Sequence, residues 1–144
     1  MKTGAAIRLL ACGAMLTLAV NWGAAQTVRA NIPFNFVAGS ASLAAGEYMV
    51  EGAGLSDQIL QLCGVKSRGC IVMLASEVGS SRGAIQGKLV FHRYGGQYFL
   101  SEVWSPNDGL VKTLPESRRE RQLAKSGTES VVAIMAAGLR NGLR

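Results

Sequence analysis

The chain is 144 residues long, a length that fits one domain. A hydrophobic fraction of 49% with only 17% charged residues excludes a disordered chain, and 18 glycines among few strong helix-forming runs favour strands and turns. The net charge of +6 is mildly basic, and with 6% aromatic residues it falls short of the basic, aromatic surface of a nucleic-acid binder.

Residues 1–25 read as a secretory leader. Lys2 and Arg8 give a positive start, residues 9–20 (LLACGAMLTLAV) an apolar core, and Gly23, Ala24 and Ala25 the small residues a signal peptidase needs. The core is too short for a spanning helix, which takes about 20 apolar residues. A buried N-terminal helix is the structural alternative. A lipoprotein variant, with Leu9, Leu10, Ala11 and Cys12 as a loose lipobox, would leave almost no apolar core after Arg8. Removing the leader leaves 119 residues and lowers the charge to +4. The expectation is a mature domain over residues 26–144 without a transmembrane span, exported to the periplasm or outside the cell.

Residues 27–37 alternate. Val28, Ala30, Ile32, Phe34 and Phe36 share one face, while Arg29, Asn31, Pro33 and Asn35 share the other, the pattern of a half-buried strand. Pro33 lacks a ladder donor, so this strand belongs at an edge or carries a bulge. Gly39 and Ser40 turn the chain, Leu43 to Gly46 bend it again, and residues 47–51 form a strand with Tyr48 and Val50 on one face.

Residues 58–63 and 70–75 read as partner strands joined by a loop, GVKSRG, with glycine at each end. Cys63 and Cys70 flank the loop where pairing brings them close. Cys12 leaves with the leader, so these two are the mature cysteines, and in an exported chain they imply a disulfide. The C-x6-C spacing does not suit a redox motif, which is normally C-x-x-C. Zinc would need further ligands, and His92 is the single histidine.

Residues 88–104, KLVFHRYGGQYFLSEVW, read as a hairpin turning at Gly95 and Gly96, which suits a type I′ or II′ turn. An uninterrupted register places Arg93 opposite Tyr98, Phe91 opposite Leu100 and Leu89 opposite Glu102. On the other face Tyr94 meets Gln97, His92 meets Phe99 and Val90 meets Ser101. Both faces carry apolar residues, so both need cover, which implies a sandwich or a closed barrel. His92 as a general base would need a nucleophile and an orienting acid. Ser101 is the diagonal neighbour, without a G-x-S-x-G motif to support it. A half-buried ring with one hydrogen bond is the simpler reading. Arg93 over the Tyr98 ring is a cation–π contact, or part of a ligand-binding patch with Tyr94 and Gln97.

Residues 105–109 mark a reversal, and residues 115–126 form a basic helix ending at Gly127, with Thr113 as its cap. Arg118, Arg119, Arg121 and Lys125 form the dense cationic run, interrupted by Glu116 and Glu120. This is a solvated face with local ion pairs, or a docking surface for an anionic polymer, lipid head group or partner. Residues 130–137 suit a final strand, though Ala and Met also allow a helix.

Four segments together carry a resemblance: V-R-A-N-I-P-F-N-F at 28–36, L-A-A-G-E-Y at 43–48, F-H-R-Y-G-G-Q-Y-F-L-S-E-V-W at 91–104 and L-P-E-S-R-R-E-R-Q-L-A at 114–124. The chain resembles a family of short exported proteins of soil bacteria, over most of its mature length. Such relatives usually have proline where Ala44 stands here. The family brings no established activity, so the resemblance implies export and no catalytic residues.

The fold expected is all-β, a single antiparallel barrel or sandwich of about seven or eight strands with one short surface helix. The function expected is non-enzymatic, with no cofactor and no metal: binding of an envelope component or another protein, with His92, Arg93, Tyr94, Tyr98, Arg118, Arg119 and Arg121 as candidate contacts. A small apolar-ligand carrier with a barrel cavity and a hydrolase-like enzyme using His92 are the alternatives.

Overall fold

The structure, a computed structural model, describes residues 27–53, 58–80, 86–105 and 109–136. The expected leader lies outside the described residues. Eleven strands and one helix follow in order: β1 Thr27–Ile32, β2 Phe36–Ala38, β3 Ala41–Leu43, β4 Gly46–Gly52, β5 Ile59–Gly64, β6 Cys70–Leu74, β7 Ser76–Ser80, β8 Lys88–Tyr94, β9 Gln97–Ser105, β10 Leu110–Thr113, α1 Arg118–Ser126 and β11 Glu129–Met135.

The strands form two sheets. The first runs β1-β4-β5-β6, antiparallel throughout. The second runs β11-β8-β9-β10-β7. The edge of β9 away from β8 is shared: β10 pairs with its C-terminal half, and β2 lies parallel along Tyr98 and Phe99 with β3 beyond it. Neither sheet closes on itself, so the all-β expectation is met as a sandwich and not as a barrel. The strand count exceeds seven or eight because the stretch expected as one strand over residues 27–37 is divided into β1 and β2, and because the short β3 and β7 lie beside stretches whose sequence reads as turns.

Pro33 explains the first departure. The alternating stretch does not continue as one strand but stops at Ile32 and resumes at Phe36 in the other sheet. Its inward residues serve one core: Val28, Ala30 and Ile32 from β1 and Phe36 from β2 are buried together. Val50, Leu60, Leu62 and Met73 pack from the first sheet against Leu89, Phe91, Leu100 and Val103 of the second. Phe36 meets Tyr48 and Phe91 edge-on, with ring centroids 5.2 and 5.4 Å apart. These packed side chains form one core shared by the two sheets, which do not close into the barrel that the carrier alternative assumes. Trp104 lies outside this core, under the Lys88 ammonium at 3.7 Å.

The central hairpin pairs as expected for its first four rungs, from Tyr94 opposite Gln97 to Phe91 opposite Leu100. Gly95 has φ 61° and Gly96 is not in the positive region, the II′ pattern. A bulge then changes the register. Val90 faces Glu102 and Leu89 faces Val103, which corrects the uninterrupted pairing. Ser101 is the extra residue, and it keeps Glu102 off the core face while Val103 takes the place beside Leu89. Its carbonyl accepts the Leu114 N–H and ties down the chain leaving β10.

The helix is shorter than residues 115–126. Thr113 still belongs to β10, and Leu114 is buried in the core. The cap is Ser117, whose hydroxyl accepts the Glu120 N–H at 3.1 Å. The segment after Gly127 is a strand, with β11 paired to β8 over seven residues.

Candidate functional site

The outer face of the second sheet positions His92, Tyr94 and Phe99 under α1. His92 sits opposite Phe99 on one side and Val131 on the other, while Tyr94 sits opposite Gln97 and Glu129. Helix α1 turns one face onto this layer. Its buried residue is Glu120, 4% exposed, with Leu123 half-buried.

His92 Nδ1 lies 3.3 Å from Glu120 Oε1 and 3.3 Å from Glu129 Oε1. These are ion-pair distances, yet neither Nδ1 nor Glu120 Oε1 has hydrogen-bond alignment, and both atoms are buried. Burial pushes the Glu120 carboxyl above its ordinary range, with Glu116 adding to the effect and His92 opposing it. Burial also raises the Tyr94 phenol, helped by Glu129, Glu120 and Glu116. His92 therefore meets two carboxylates and not a nucleophile: among the described residues no polar contact joins it to Ser101. No group of three His, Cys, Asp or Glu among them has the arrangement of a metal site.

The second feature is a groove of about 450 Å³ at the end of this sheet, where the β2–β3 hairpin, the Gly95–Gly96 turn and the first turn of α1 meet. Val37, Leu43 and Tyr98 supply its apolar wall, and Asn35, Gln97 and Arg119 its polar one. Tyr98 is held from behind by Phe34, stacked at 3.8 Å and 13°. The Arg93 guanidinium lies over the Tyr98 ring at 5.5 Å while its Nε donates to the Gly95 carbonyl. The Arg119 Nε donates to Gln97 Oε1 at 2.7 Å, which fixes the guanidinium at the rim.

The expected site residues thus divide. Tyr98 and Arg119 line the groove, and Arg93 lies over the Tyr98 ring outside that lining; His92 and Tyr94 belong to the layer beneath the helix; Arg118 and Arg121 are exposed on α1 outside the groove. The local ion pairs expected on the helix are not the arrangement of Glu120, which turns inward to His92. Sequence reading missed Asn35, Leu43 and the Gln97–Arg119 clasp, because partners 22 residues apart leave no periodic signal.

Cys63 and Cys70 are paired directly across β5 and β6, with sulfurs 2.09 Å apart, as a disulfide requires. Among the described residues no helix is long and apolar enough to cross a membrane. In comparisons with known proteins, no family model, no curated protein and no solved structure matches the chain.

Proposed function

We propose that this chain is an exported, non-enzymatic binding domain that engages a partner or envelope component through the groove at the Gly95–Gly96 end of the sandwich. The observation that carries the reading is the groove itself, an aromatic and aliphatic wall facing a guanidinium clasped in place. Concave sites with an apolar lining and few fixed polar groups are the usual form of binding pockets. Export is supported by the leader-like residues 1–25 and by the cysteine pair at bonding distance. Resemblance to short exported bacterial proteins agrees with it and brings no activity.

A photo-crosslinking residue at Ser42, beside the groove, tests the reading against the same residue at Asn31, an exposed position on β1. Incubated with envelope extract, the Ser42 form is expected to capture a defined component that the Asn31 form does not. Equal or absent capture at both positions rejects the groove as the binding site.

A further inference from the structure

We infer that the groove takes a carboxylate carried on an apolar body, with Arg119 meeting the carboxylate and Val37, Leu43 and Tyr98 meeting the body; this rests on the binding reading above. The charge distribution supplies the argument. Among the described residues no Asp or Glu lines the groove. The recorded ion pairs of the described residues use Arg29 with Glu47 and His92 with Glu120 and Glu129. Among the described residues Arg119 has no carboxylate partner. Glu120, the acid next to it in sequence, spends its charge under the helix against His92. The negative charge of α1 is thereby turned inward while the guanidinium stays outside.

Arg119 is also pre-oriented. Gln97 accepts from Nε alone, and among the described residues no acceptor takes the N–H groups of the two Nη atoms, which are left for a ligand. A guanidinium presents these in a planar fork that matches a carboxylate. One lining cation suits a monoanion better than a phosphate dianion. The Asn35 Oδ1 accepts the Ala45 N–H, so the side chain is fixed with its amide donors uncommitted, again favouring an acceptor-rich ligand. The wall of Val37, Leu43 and Tyr98, with Phe34 stacked behind Tyr98, offers apolar surface to a ring or hydrocarbon.

The test is an amide NMR titration with N-acetyl-phenylalaninate, N-acetyl-phenylalaninamide and phenyl phosphate as probes. The carboxylate is expected to shift Gly96, Gln97 and Tyr98 at millimolar concentration. The neutral amide is expected to bind about fivefold more weakly, the scale of one partly exposed charge-assisted contact. Arg119→Gln should remove that difference, Arg119→Lys should restore part of it, and Arg118→Gln, outside the groove, should preserve it. Dispersion of the remaining amides shows that each variant folds. Equal binding of acid and amide, or tighter binding of the phosphate, overturns the carboxylate assignment and leaves the groove as a binding site. No shift at the groove with any probe overturns both.

Discussion

Glu120 and His92 face each other across the seam between α1 and β8, Oε1 to Nδ1 at 3.3 Å, with both atoms closed off from solvent. The pair sets the one buried residue of α1 against the sheet. It buries a charge against a ring instead of a leucine against a leucine. It also explains why the arginines of α1 lack the acid that the sequence places among them.

The Glu120 carboxyl is raised chiefly by burial. A group that holds its proton more tightly when folded contributes its stability fully below the unfolded value, about 4.3 for glutamate, and loses it as pH rises through the folded value. Glu120→Gln keeps the shape without the charge. It should therefore gain on the wild type as pH is raised from about 4 to about 8. The trend should steepen in a His92→Gln background, where the opposing imidazole is gone. Urea denaturation across this range measures it. A wild type that gains on the variant with rising pH would mean that His92 outweighs burial.

Reducing the Cys63–Cys70 bond should lower stability without unfolding the second sheet. The closed loop is short, with a sequence separation of 7. Chain-entropy reasoning gives about 2–3 kcal/mol for a loop of this size. Denaturation midpoints of the oxidised protein and of Cys63→Ser/Cys70→Ser provide the comparison. A difference below about 0.5 kcal/mol would reject this account.

Much of this architecture was legible because it is local. The Gly95–Gly96 turn sets four rungs of the hairpin, and the GVKSRG loop brings the cysteines opposite each other. Alternation from Val28 to Phe36 identifies core residues even though Pro33 divides them between sheets. The illegible parts depend on contacts distant in sequence. No pattern around Ser101 announces a bulge, since a serine is at home in a regular strand as well. Nothing near Arg119 points to Gln97, nor anything near His92 to Glu120 and Glu129. The capping pattern that starts at Ser117 was present in sequence, but Thr113 and Pro115 offered an equally good start one turn earlier. Burial of Leu114 settles the choice.

Gly95 has a positive φ with open space where a Cβ would stand. The cost of Gly95→Ala is thus conformational and not steric, and should come to about 1–2 kcal/mol. Gly96→Ala, outside the positive region and equally open, should cost less than half as much. Equal losses at the two positions would contradict the II′ assignment.

The Ser101 bulge makes the sharpest claim about which residues hold the sandwich together. With the bulge, Val103 is 3% exposed beside Leu89 and Glu102 lies on the outer face, its carboxylate accepting the Trp104 indole N–H at 2.8 Å. Val103→Ala should then cost about 2 kcal/mol, the burial of two methyl equivalents. Glu102→Ala loses a partly exposed hydrogen bond and should cost about 1 kcal/mol or less. A regular ladder predicts a small loss at Val103, which would face outward, and a gain at Glu102, which would then stand in the core as an unpaired charge whose removal relieves the fold. Deleting Ser101 leaves Val90 opposite Glu102 and Leu89 opposite Val103 in an unbroken ladder, so the deletion variant should fold. It should still lose the carbonyl that receives the Leu114 N–H, and with it protection of that amide from hydrogen exchange. Unchanged protection of Leu114 in the deletion variant, or a gain on Glu102→Ala with little loss on Val103→Ala, would show that Ser101 does not set the register.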